Sequence, residues 1–156
     1  MIQILLLATA KGFERKGRCV LFSKDPLQDY AAFTKECMQT EADRKKLYRV
    51  SFRLGRLIRK LAGMVGCRTP EKRQRLVFWL YRNIGITMTG EIPGEVLVSE
   101  CFFSSFYTAE ECRCISAMDA GIIAGICGSG RLHFTERLTE GCGHCRACVD
   151  EKREKG

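Results

Sequence analysis

The apolar residues of this chain change their spacing at Asn83–Gly85, and that change restricts the fold more than any other feature. Before it, Leu27, Tyr30, Ala31, Thr34, Cys37 and Met38 recur at three and four residues. Leu47, Val50, Leu54, Leu57, Ile58, Leu61, Met64 and Val65 do the same. This is the period of one helix face. After it, Ile86 and Met88 alternate with Thr87 and Thr89, and beyond Pro93-Gly94 Val96 and Val98 alternate with Leu97 and Ser99. That is the period of two strands around a turn. Asp25-Pro26, Thr40 with Asp43, and Thr69-Pro70 supply three helix starts, each with a side chain able to accept from a first-turn amide. Gly66-Cys67-Arg68 separates the second helix from the third. The apolar run Leu76–Tyr81 predicts that the third lies between layers.

A further helix follows the strands. Thr108 with Glu111 forms a capping box, and Gly128-Ser129-Gly130 ends the run. Cys112, Ile115, Asp119, Ile122 and Ile126 share one face of this helix. Cys114, Ala117, Met118, Gly121 and Gly125 form a second face, small enough for another element to approach closely. Leu132, Phe134 and Leu138 then alternate with Arg131, His133, Thr135 and Arg137 in a half-buried strand over residues 131–139. Glu140-Gly141 turns the chain, and Cys145, Ala147 and Val149 mark a returning strand. Phe102, Phe103, Phe106 and Tyr107 are expected in the core. The class is α+β: N-terminal helices on a small, mainly antiparallel sheet, with a central buried helix over 108–127. Residues 1–150 fit one domain and 151–156 a charged tail.

Before the first helix, Ile2–Leu7 and Cys19–Phe22 fit two short strands around a basic loop, Lys11–Arg18. Ala8-Thr9-Ala10 resembles a signal-cleavage site, but the segment lacks a basic leading region and is short for one. No apolar run approaches the about 18 residues that cross a bilayer.

Charge divides the chain. Residues 1–82 hold 19 Lys/Arg and 7 Asp/Glu, and residues 83–156 hold 7 and 11, so the halves carry +12 and −4 and sum to +8. The basic half is helical and the other half is cysteine-rich. On the second helix, Lys45, Lys46, Arg49, Arg53, Arg56 and Lys60 crowd the face opposite the apolar stripe. This reads as a core helix with a solvated face. Lying on a membrane or a nucleic-acid backbone is the weaker reading, and no nucleic-acid motif supports it. The expected partner is a small molecule.

Seven of the ten cysteines and both histidines lie between Cys101 and Cys148. Long amphipathic helices supply a core without disulfides, so reduced thiols of a cytoplasmic protein are expected. Cys142, Cys145 and Cys148, with His144 between them, have the spacing of ligands to zinc or an iron–sulfur cluster. A strand there would send Cys145 and Cys148 to opposite faces and prevent it. Asp119 stands alone as an acid on an apolar helix face. It must be bonded, paired or protonated, which makes it a candidate general acid or base.

The order Cys101, Cys114, Asp119, strand 131–139, Glu140-Gly141 and Cys145 resembles the end of the L-2-amino-thiazoline-4-carboxylic acid hydrolase family. It is also similar to the small-molecule-binding domains named after vinyl reductase. The likeness spans about residues 95–149. The hydrolase resemblance implies opening of a cyclic amidine-type C–N bond in a sulfur heterocycle to give a carbamoyl-cysteine. On that resemblance Asp119 activates water or binds the amidinium. Cys114 or Cys145 is a nucleophile if its pKa is lowered. Cys101, Arg131 and Arg137 are the groups that would line or hold the substrate. The vinyl-reductase likeness implies instead a ligand-sensing or metal-binding module without catalysis.

Overall fold

A computed structural model describes residues 25–37, 40–128 and 130–150. The expectations of two strands before Asp25 and of a charged tail from 151, and the side chain of Cys37, lie outside the described residues. The elements in order are α1 (Pro26–Cys37), α2 (Glu41–Met64), α3 (Pro70–Arg82), β1 (Ile86–Gly90), β2 (Gly94–Cys101), a 3-10 turn (Phe102–Ser105), α4 (Ala109–Ile115), α5 (Ala117–Cys127), β3 (Leu132–Glu136), a 3-10 turn (Leu138–Glu140) and β4 (Cys145–Val149). Among the described residues the fold is α+β, helices packed on one antiparallel sheet. No helix there is long and apolar enough to cross a membrane.

The helix starts form as the side chains require. Asp25 Oδ1 accepts from the amides of Leu27 and Gln28, each at 3.2 Å. Thr40–Asp43 and Thr108–Glu111 both close full capping boxes, each worth on the order of 1 kcal/mol. The helix expected over 108–127 runs as two segments joined at Ser116. The Ser116 hydroxyl donates to the Arg113 carbonyl at 3.1 Å, the local side-chain competition that bends helices.

The sheet order is β1-β2-β4-β3, antiparallel throughout. Val96, Val98, Cys145, Ala147, Val149 and Leu132 face the helices and are buried. The strand expected over 131–139 ends at Glu136, where a bulge at Thr135 shifts the register.

α5 is the centre of the molecule. It touches α2, α3 and β3, and Ala117, Met118 and Ala120–Ile126 are buried. Each of Ile122, Ile123 and Ile126 contributes about 1.5–3 kcal/mol of apolar burial. α2 and α5 meet backbone to backbone. A Cβ on Gly121 would lie 2.6 Å from the Tyr48 carbonyl oxygen, one on Gly125 2.6 Å from that of Phe52, and one on Gly55 2.6 Å from that of Ile122. Leu47, Ser51 and Gly55 form the buried line of α2.

Two expectations about the helices change. The apolar stripe of α2 is covered only in its first part: Leu57, Leu61, Met64 and Val65 are 52%, 54%, 74% and 85% exposed. α3 buries Val77 and Tyr81 but leaves Trp79 47% exposed. It borders β1 and α5 on one side and is not enclosed between layers.

Candidate functional site around Asp119

Asp119 lies in the first turn of α5, facing α3. The Tyr81 hydroxyl donates to Asp119 Oδ1 at 2.8 Å. Part of the residue's surface stays open to solvent, yet the protein packed around the carboxyl dominates its acidity. Burial raises its pKa from 3.8 to about 6, against the hydrogen bond from Tyr81 and the positive charge of Arg137, which both lower it. Such a group changes protonation near neutral pH, as an acid–base catalyst must. The Tyr81 hydroxyl moves the other way: burial, then the Asp119 charge, hold it well above the usual phenol range. It therefore remains a donor.

Three cysteines and one arginine complete the neighbourhood. Cys101, at the end of β2, is pushed up to about 12, chiefly by burial and then by the Asp119 charge. Cys145, at the start of β4, is buried. Its Sγ accepts from the Leu138 amide at 3.3 Å. Burial raises its pKa, with Cys112 and Asp119 adding to the rise and Arg137 opposing it. Arg137 places Nη1 3.7 Å from Cys112 Sγ and its guanidinium carbon 4.3 Å from the centre of the Phe134 ring.

The bulge at Thr135 explains why Arg137 is there. Phe134 pairs with Ala147, an inward residue, whereas Glu136 pairs with Arg146, an outward one. One extra residue has reversed the alternation. Glu136 thereby joins Arg146 on the outer face, 3.5 Å from its Nε. Arg137 lies against Cys112 and Phe134, near enough for its charge to lower the Asp119 pKa without an ion pair between them. Strict alternation grouped Arg137 with Arg131, and the structure separates them. Arg131 is exposed, and its carbonyl accepts from the Asp150 amide.

Cys114 also lies elsewhere. It borders a groove with Thr40, Glu41 and Arg44 at the start of α2. Burial raises its pKa, and the nearby Asp43 adds to the rise. Five helical residues turn through roughly 140°, so Cys114 and Asp119 face different neighbours. Cys112, seven residues from Asp119 and on its face, takes the position next to Arg137. Its spacing signalled this, but the cysteine–aspartate pattern of the family resemblance drew attention to Cys114. The condition for a cysteine nucleophile, a lowered pKa, is met by neither Cys114 nor Cys145.

The proposed metal ligands do not assemble. Residues 145–149 form a strand whose inward positions are Cys145, Ala147 and Val149. Cys148 therefore projects from the other face, opposite Glu95 and His133. His144 Nε2 instead sits 2.8 Å from Glu136 Oε2, a distance that makes an ion pair when the imidazole is protonated. Among the described residues no group of three His, Cys, Asp or Glu side chains is arranged to hold a metal ion. The described cysteines are free thiols.

The cluster brings together a carboxyl of raised pKa at Asp119, the Tyr81 hydroxyl that donates to it, the Arg137 guanidinium, and the thiols of Cys101 and Cys145 with raised pKa. No family model, curated protein or solved structure matches the chain.

Proposed function

We propose that the Asp119 cluster is a small-molecule site with hydrolytic chemistry on a non-peptide bond, of the kind the thiazoline-carboxylate resemblance implies. The observation that carries this reading is the part-buried Asp119 carboxyl, bonded by the Tyr81 hydroxyl at 2.8 Å and within electrostatic reach of Arg137. Ionised Asp119 takes a proton from water, and the water oxygen adds to the amidine carbon of the ring. The ring C–N bond then breaks, the departing nitrogen takes the proton from Asp119 and then the hydroxyl proton of the adduct as the carbonyl forms, and a cysteine with a free amine and the carbamoyl group on sulfur results. Tyr81 fixes the carboxylate by its hydrogen bond. Arg137 holds the substrate carboxylate, which a guanidinium can do with two parallel bonds.

The test is turnover of L-2-amino-thiazoline-4-carboxylate, followed by mass-spectrometric detection of the carbamoyl-cysteine product. Asp119→Asn is expected to lower kcat by on the order of 10²–10⁴-fold, the usual worth of a positioned base. Since the ionised form acts first, wild-type kcat should rise with pH through about 6 and then level off. Arg137→Ala should act mainly on KM. Neither binding nor turnover of this substrate by the wild-type chain would remove the reading.

A second reading, a ligand-sensing domain without turnover, draws on the upward shifts of Cys101 and Cys145 near Asp119. Thiols held protonated line a pocket without attacking its occupant. Saturable binding with no product would favour it.

A further inference from the structure

The end of α2 and the start of α3 enclose an open groove bordered by Arg53, Arg56, Arg59, Lys60, Arg68 and Arg73, with no acidic residue along it. Two aliphatic residues, Leu57 and Met64, share this lining. Leu61 and Val65 continue the stripe at helical spacing. All four are more than half exposed. Arg73 Nε is buried without a hydrogen-bond partner among the described residues. Cations beside an exposed apolar stripe on one helix are the pattern of an interfacial helix, in which charge meets lipid headgroups and the apolar face enters the acyl boundary.

We propose that this face docks on the surface of an anionic lipid bilayer, the groove taking phosphate-bearing headgroups and Leu57, Leu61, Met64 and Val65 entering the interface. Charge selects this occupant over those the chain itself could provide. Residues 11–24 carry Lys11, Arg15, Lys16, Arg18 and Lys24 against Glu14, a net of +4, a charge that disfavours them as the groove's occupant. A second copy that meets the groove with the same basic face is repelled likewise. A nucleic-acid backbone satisfies the cations but leaves the four aliphatic side chains in water. A bilayer surface answers both, and each basic residue near it contributes about 1 kcal/mol.

The experiment uses the full chain with vesicles of phosphatidylcholine alone or of equimolar phosphatidylcholine and phosphatidylserine. Co-sedimentation reads binding, and peroxide oxidation of Met64, mapped by mass spectrometry, reads the contact. Binding to the anionic vesicles is expected, at least tenfold stronger than to the neutral ones and weakened by salt. Met64 should oxidise readily in buffer and with neutral vesicles and be protected by the anionic ones. Arg53→Gln, Arg56→Gln and Lys60→Gln together should weaken binding on the order of a hundredfold. Leu61→Ser with Met64→Ser should weaken it too, with the thermal midpoint unchanged in both variants. Equal binding to the two vesicles, or none, overturns the proposal. So does Met64 already protected in buffer, which would mean that the chain covers its own stripe. Tight binding to duplex nucleic acid that ignores the Leu61 and Met64 changes would assign the groove to a polynucleotide instead.

Discussion

The acidity of Asp119 has a consequence for stability that is separate from catalysis. The folded state keeps its proton to about pH 6, whereas the unfolded chain releases it near 3.8. Between these values the folded state binds more protons, so this group's contribution to stability falls as pH rises and is constant above about 6. The part-open carboxyl makes the total ~1–3 kcal/mol. Asp119→Asn should therefore be more stable than wild type at pH 7 by that amount. The difference between the two proteins should shrink as pH is lowered from 6 to 4, as read by urea unfolding. An advantage that did not depend on pH would contradict the shift. The buried thiols behave in the same sense. Cys101, held at about 12, should alkylate on the order of a thousandfold more slowly in the native protein than in urea, because only the thiolate reacts. Peptide mapping after a timed pulse of iodoacetamide checks it. At this scale the sequence revealed Asp119 and Cys145, since an acid on an apolar face and a cysteine at an inward strand position are local facts. It named Arg137 only as an equal of Arg131 and did not reveal its direction, which depends on the Thr135 bulge. The signal was Glu136, a charge at a position that strict alternation would bury.

Among the elements, the α2–α5 crossing is the most exacting. Gly121 and Gly125 touch the α2 backbone, which cannot move aside as a flexible side chain can. Gly121→Ala and Gly125→Ala should each cost about 1–3 kcal/mol or more through overpacking. Gly63, near the end of the same α2, has nothing within 4 Å of an added Cβ. Gly63→Ala should stabilise by roughly 0.5–1 kcal/mol through helix propensity alone. Urea midpoints of the three variants check both signs. The close-approach face of α5 was legible in the spacing of its small residues, and the three helix starts in their caps. The burial of α2 was not. Its apolar stripe continues to Val65 by periodicity, but α5 covers only the part as far as Gly55 and its neighbours. Period tells which side of a helix is apolar and not how far a partner extends along it.

For the whole molecule, the decisive arrangement is the place of β4. Among the described residues β2 and β3 are joined in the sheet only through it, and its Cys145, Ala147 and Val149 lie on the inner face. Ending the chain after Gly143 should therefore abolish cooperative unfolding. The remainder should keep helical circular dichroism and expose apolar surface to a hydrophobic dye, as a collapsed state does. A sharp urea transition in the shortened chain would argue against a central role for β4. The α+β class was legible because the period changes once. The strand order was not, since alternation gives faces and leaves neighbours open. Time enters through the same strand. As the chain is synthesised, β1 and β2 are complete long before Cys145–Val149 is made, and one edge of β2 waits with its amides and carbonyls unpaired. Slower translation of residues 102–144 lengthens that wait. Crowded nascent chains would then be open to pairing with one another before each has made its own central strand.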